Sequence, residues 1–149
     1  MSVVTISYLH IPEESLLLVR IAGHVSRAEN AQALRRMGRE GVFLNIDRLL
    51  IDVTEFTGSD MSTSDMHWLV SEIAHQIRHL KMDMRVSICA LPDSFGFAMA
   101  RVFHSFAVLT DGLEMVALHE VAEALRWLDL NADQHVYVER LHAEATVVG

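Results

Sequence analysis

The sequence lacks the residues on which several classes of protein depend. Only one cysteine, Cys89, occurs in 149 residues, so an internal disulfide and a zinc site built from cysteines are both excluded. No cluster of Lys or Arg occurs and the formal net charge is −8, which argues against a nucleic-acid partner because phosphate binding needs a positive surface. No apolar run approaches the roughly 20 residues that span a bilayer, and the N-terminus does not resemble a signal peptide. We expect a soluble, cytoplasmic protein.

Motifs of catalysis and metal binding are also missing. The chain has no G-x-S-x-G elbow and no glycine-rich phosphate loop. His75 and His79 lie four residues apart in one helical pattern and follow Glu72, a spacing that could hold a metal. However, the Glu beside the first His of a zinc protease helix is absent, so histidines in contact with solvent are the better interpretation. The sequence predicts no enzyme activity, no cofactor and no metal.

What the sequence does contain is a regular succession of strand and helix patterns. Residues 3–9 and 15–23 alternate like strands and predict an antiparallel hairpin, and Ser26 with Glu29 has the spacing of a capping box that begins a helix. Each later strand pattern precedes a helical pattern. The order predicts an α/β fold: a mixed β-sheet opened by an antiparallel hairpin, with its later strands parallel through helical crossovers. The later strand patterns cover residues 48–53, 84–91 and 113–118.

The length is typical of one domain with one core. We assign that domain to residues 1–130. Residues 131–149 show weak alternation and no helix cap, so we treat them as a C-terminal tail.

Residues 49–69, "LLIDVTEFTGSDMSTSDMHWL", pass from an apolar strand through a polar segment into a helical pattern. Ser62 and Asp65 have near capping-box spacing, and a carboxylate in the first turn opposes the positive end of the helix dipole. Ser62 is therefore predicted to be an N-cap, a role that aspartate would also fill. This interpretation leaves Asp60 and the additional hydroxyls unexplained.

The order of elements and three segments resemble the STAS family, specifically its SpoIIAA-like branch. The segments are "LLIDVTEFTGSD", "ALPDSFGFAMARVF" and "LEMVALHEVAEALRWL", and the resemblance covers about residues 3–129. It implies a non-enzymatic regulatory module that is similar to bacterial anti-sigma factor antagonists, which bind partner proteins and are switched by phosphorylation of a serine. Some SpoIIAA-like members are also compared with lipid-binding SEC14 domains.

One position departs from the family pattern. The phosphorylated serine of the family directly follows an aspartate before this helix, but here Asp60 is followed by Met61. A thioether cannot accept phosphate, so the usual switch is lost unless Ser59 or Ser62 replaces it. We take Ser59, Asp60, Met61 and Ser62 as the candidate interaction or switch region.

Two aromatic residues lie off the apolar stripes of their helices. At about 100° per residue, Trp68 falls opposite the stripe that runs from Met66 to Leu80, and Phe97 falls opposite Phe95. We expect both to face a partner protein, and we expect a homodimer that buries one of them. An alternative function is binding of a small apolar or lipid ligand, because the chain has eight Met and six Phe and Met adapts to irregular apolar surfaces.

Overall fold

The structure, a computed structural model, describes residues 6–80, 83–130, 139–140 and 145–147. Between residues 6 and 130 the strands and α-helices follow the order predicted from the sequence, and a short strand within residues 131–149 was not predicted. The strands are β1 (Ile6–Ile11), β2 (Leu16–His24), β3 (Arg48–Gly58), β4 (Met84–Cys89), β5 (Leu113–Leu118) and β6 (Thr146–Val147). The helices are α1 (Arg27–Arg39), α2 (Thr63–Leu80), α3 (Phe95–Ala107) and α4 (Val121–Trp127), and a 3-10 turn covers Pro12–Glu14.

The described strands form one mixed sheet in the order β5-β4-β3-β2-β1-β6. β1 pairs antiparallel with β2, and β2, β3, β4 and β5 are parallel neighbours. The predicted α/β fold with an opening hairpin is confirmed. Within the predicted tail, Val147 pairs with Ser7 at the free edge of β1. The division at residue 130 stays a prediction.

β3 is longer than the strand predicted at residues 48–53. It continues to Gly58 because β2 also continues, and Phe56 and Gly58 pair with Gly23 and His24 across two shifts of register. Such bulges let a strand continue while its side chains are redirected. As a result, part of the polar segment belongs to the sheet, and the Glu55 carboxylate forms an ion pair with Arg20 of β2.

Helices cover both faces of the sheet, which explains why its central strand is apolar on both alternating sides. One face packs against α1, α2 and α3, and the opposite face packs against α4. Neighbouring residues therefore enter different cores. Leu17, Leu49 and Val53 point to the three-helix face, whereas Leu16, Leu18 and Leu50 point to α4.

Local signals in the sequence begin α1 and α3. Ser26 and Glu29 form the predicted capping box of α1, with the Glu29 N–H 3.1 Å from Ser26 Oγ and the Ser26 N–H 3.0 Å from Glu29 Oε1. Ser94 caps α3 by accepting the Phe97 N–H at 3.0 Å. These caps satisfy backbone donors that the first turn of a helix leaves without a partner.

Candidate functional site

The polar segment begins α2 with a reciprocal cap. Ser62 Oγ accepts the Asp65 N–H at 3.2 Å, and Asp65 Oδ2 accepts both the Ser62 N–H at 2.9 Å and the Ser62 hydroxyl at 3.0 Å. The Ser62 backbone N–H, followed by its hydroxyl and the Arg27 guanidinium, lowers the pKa of Asp65. The predicted N-cap role of Ser62 is confirmed by this geometry.

Asp60 and Ser59, which the cap interpretation left unexplained, also make hydrogen bonds. Asp60 Oδ1 accepts the backbone N–H of Arg27 at 2.6 Å, and Arg27 is the first residue of α1, where that donor has no partner inside the helix. Ser59 Oγ accepts the N–H of Met61 at 3.1 Å. The segment therefore ties the beginning of α2 to the beginning of α1.

Met61 is the one buried side chain of the candidate region. Its exposed fraction is 8%, and its Sδ atom lies 3.2 Å from the Asn30 side-chain nitrogen on α1. Asp60 and Ser62 are exposed on either side of it. The backbone around Met61 is held by polar contacts, while its thioether points into the protein.

A groove of about 310 Å³ lies between α1 and α2. Trp68 forms part of its wall and is 42% exposed, so the prediction that this side chain faces away from the core is confirmed. Charged side chains lie beside it: Arg27 is 3.8 Å from the Asp65 carboxylate, and Arg35 is exposed. We call this the α1–α2 groove. Its lining residues are Arg27, Ala28, Asn30, Ala31, Arg35, Met61, Asp65, Trp68 and Leu69.

A second space lies in the core between the sheet and the three helices of that face. This apolar cavity has a volume of about 140 Å³, and among the described residues that line it the side chain of Asn30 is the only polar one. Four methionines contribute to its wall: Met37, Met61, Met99 and Met115. Composition had raised the possibility of an apolar site, but it could not locate one.

The second predicted outward aromatic is not exposed in the way we expected. Phe97 is half-buried, packs against the core and lies 4.7 Å from the His119 ring, whereas Phe95 is 44% exposed and lies 5.7 Å from Phe56. A helical wheel with one buried stripe gave the wrong result for Phe97, because α3 packs against β3, β5 and α2 and is therefore buried on more than one side. A partner-surface role for Phe97 stays a prediction, although its expected exposure was wrong.

Solved structures identify the architecture. The chain is similar to an uncharacterized protein of the DUF3478 family with a SpoIIAA-like fold from Shewanella loihica PV-4. The TM-score is 0.55, with 21% identity over 83% of this chain and 92% of that one. This chain has a SpoIIAA-like fold. It also resembles the unphosphorylated form of the anti-sigma factor antagonist SpoIIAA, with a TM-score of 0.47 and 13% identity over 93% of this chain and 98% of that one. No protein-family model and no curated protein matches the sequence.

Within this SpoIIAA-like fold, the described residues contain no group of three His, Cys, Asp or Glu side chains arranged to hold a metal. His75 is exposed, and the side chain of His79 lies outside the described residues. Burial raises the pKa of the Cys89 thiol to about 12, which keeps it protonated and a poor nucleophile. The expected lack of a metal and of enzyme activity stays a prediction. None of the described helices is long and apolar enough to span a membrane.

Proposed function

We propose that this chain is a non-enzymatic regulatory module of the STAS type that binds a partner protein at the α1–α2 groove. The observation that carries the proposal is the exposed Trp68 in the wall of a groove that also contains Arg27 and Arg35. Tryptophan and arginine are the residue types most enriched at binding hot spots. The SpoIIAA-like fold is compatible with this role.

The groove is held in shape before any partner arrives. The capping box between Ser62 and Asp65 fixes the beginning of α2, and the Asp60 contact to the Arg27 N–H fixes it against α1. A preformed surface loses less conformational entropy when it binds. These polar contacts therefore support binding without contacting the partner themselves.

The charges of the groove favour a partner with carboxylates next to an apolar side chain. The described lining of the groove contains two arginines and one carboxylate, although the whole chain carries a net charge of −8. In a symmetric dimer joined groove to groove, the two arginines of one copy would meet the same arginine-containing groove of the other. Opposite charges steer association and like charges oppose it. We therefore place an acidic partner in the groove; the predicted homodimer is a separate claim.

We also propose that phosphate on the candidate region does not switch this module. Met61 cannot accept phosphate, and the Ser62 hydroxyl lies 3.0 Å from the Asp65 carboxylate, where a phosphate would meet a like charge. Ser59 is half-buried and its oxygen accepts the Met61 N–H. Both neighbouring hydroxyls are thus used in holding the segment.

The experiment compares Trp68→Ser with Leu109→Ser. Leu109 is 85% exposed and is absent from the groove wall, so its substitution removes a similar surface hydrophobe elsewhere. A partner captured by the wild-type protein is purified and titrated calorimetrically against each variant. We expect Trp68→Ser to raise the Kd about 30-fold, which corresponds to ~2 kcal/mol. Arg35→Glu should also weaken binding, and Leu109→Ser should not.

If Trp68→Ser and Arg35→Glu both bind the partner with unchanged affinity, the partner does not bind at the groove. Light scattering at micromolar concentration tests the homodimer independently. If the wild type is a dimer and Trp68→Ser is a monomer, the occupant of the groove is a second copy of this chain and not an acidic partner. A monomer would show the homodimer prediction to be wrong.

The apolar cavity supports a second candidate function, binding of a small uncharged apolar molecule. Asn30 is the one polar side chain that the structure describes in its wall, and its volume is about 140 Å³. A cavity of roughly 150 Å³ engineered into another protein stays dry and binds benzene. Pockets that hold drug-sized ligands are roughly 300–1,000 Å³. The cavity therefore favours a guest about the size of one aromatic ring over a whole lipid.

A further inference from the structure

The α1–α2 groove and the apolar cavity share part of their walls. Asn30, Met61 and Leu69 line both spaces, and each of the other lining residues that the structure describes belongs to one space only. These three side chains therefore separate a solvent-facing groove from an apolar interior. They form the part of the wall that the two spaces share.

Of these three residues, Met61 is the one best suited to move. Methionine is unbranched and has three rotatable side-chain bonds, so it adapts to different packing. The only polar contact described for the Met61 side chain is with the Asn30 amide at 3.2 Å, and a thioether is a weak acceptor. Swinging the side chain therefore breaks a weak contact and moves no charge.

The backbone of Met61 gives that movement a fixed base. The Met61 N–H is held by Ser59 Oγ at 3.1 Å, Asp60 is bonded to α1 and Ser62 belongs to the cap of α2. The segment can stay in place while the side chain changes rotamer. Leu69 is within α2 and does not have the same freedom, since its side chain is shorter and branched.

We propose that Met61 is a gate through which a small uncharged apolar guest passes between the α1–α2 groove and the cavity. This inference rests on the second candidate function. A guest inside the cavity competes with the Met61 side chain for space and moves it toward the groove. The movement changes the surroundings of Trp68 in the groove wall. A partner on the groove holds the side chain inward, so guest and partner oppose each other, and each weakens the other by the same factor.

The test uses protein labelled with ¹³C at its methionine methyl groups and titrated with benzene. The cavity methionines Met37, Met61, Met99 and Met115 should shift, because an aromatic ring perturbs nearby methyl signals. Met66 and Met84 are buried but line neither space, so they serve as internal controls and should stay unchanged. The indole N–H signal of Trp68 should shift with the same Kd. Single Met→Leu variants assign the signals.

Two matched substitutions distinguish the gate from an ordinary wall residue. Met61→Ala and Met99→Ala both shorten a methionine of the cavity wall that is 8% exposed, but Met99 does not line the groove. We expect benzene exchange to accelerate severalfold in Met61→Ala and to stay at the wild-type rate in Met99→Ala. Met61→Leu keeps an apolar side chain of similar volume but with less flexibility, so it should slow the exchange of benzene. This variant tests the gate even if the alanine variant does not fold.

The possible failures are distinct. If no cavity methionine shifts, the cavity does not bind this guest, and both the second candidate function and the gate are wrong. If Met37, Met99 and Met115 shift but Trp68 does not respond and Met61→Ala exchanges at the wild-type rate, the cavity is a ligand site and the gate alone is wrong.

Discussion

Removing the Ser62 hydroxyl tests whether the polar segment acts mainly as a helix cap. Ser62→Ala deletes the acceptor of the Asp65 N–H, at 3.2 Å, and the donor to the Asp65 carboxylate, at 3.0 Å. The bond from the Ser62 N–H to that carboxylate, at 2.9 Å, remains. Losing an N-cap side chain costs about 0.5–2 kcal/mol. We expect a loss of ~1 kcal/mol, in the middle of that range, because half of the reciprocal cap survives.

Urea unfolding followed by circular dichroism measures this loss. The midpoint should fall while the dependence on urea stays constant, since the surface exposed on unfolding does not change. In a chain of this size ~1 kcal/mol lowers the Tm by about 4 °C. Ser64→Ala is the matched control: Ser64 is exposed in the same helical turn, and its change should stay within about 0.5 kcal/mol.

Substitutions that add a charge at Ser62 distinguish a capping role from a role as a phosphorylation switch. From the sequence alone, aspartate should cap as well as serine, but the 3.0 Å contact between Ser62 Oγ and Asp65 means that Ser62→Asp brings two carboxylates together. We expect Ser62→Asn to be more stable than Ser62→Asp. Equal stability of Ser62→Ala and Ser64→Ala would refute the cap argument. Phosphate found on Ser59 or Ser62, with partner loss in the Asp variants, would establish a switch instead.

Two further predictions concern packing and pH. Gly96→Ala should destabilise the protein by about 1–3 kcal/mol, because a Cβ at Gly96 would lie 3.0 Å from the Val53 carbonyl oxygen. The control Gly38→Ala, where a Cβ meets nothing within 4 Å, should stabilise the protein by up to ~1 kcal/mol. Similar effects of the two substitutions in thermal melts would contradict the close packing of α3 on β3. The pKa of Asp65 is lowered from 3.8 in the folded protein, so its stabilising contribution is complete above that pH and is lost as the pH falls through the lowered value. Acid unfolding should therefore lose less stability in Ser62→Ala than in the wild type, and parallel curves would contradict the linkage.

Features that depend on residues close in sequence were predictable. The caps of α1 and α2 join residues three apart, so spacing alone identified them. The order of strands and helices followed from the periodicity of apolar residues, because this periodicity depends on whether one face or both faces of an element are buried. Trp68 was placed correctly for the same reason: α2 is buried along one stripe at its beginning, where Met66 and Val70 are buried.

Features that depend on packing between distant segments were not predictable. Phe97 and Phe95 exchanged their expected environments because α3 contacts neighbours on several sides. The full length of β3 required bulges in its pairing with β2, and no local pattern signals where a partner strand shifts register.

The sequence by itself determined the order of the strands and helices up to residue 130 and the caps of α1 and α2, since these follow from residue identity and short-range spacing. Only the tertiary structure decided that Asp60 contacts Arg27, 33 residues away, and that Met61 lies between a groove and a cavity. Both depend on how α1 and α2 lie over the sheet. The volume left between packed surfaces is set by their mutual placement, which no single segment encodes.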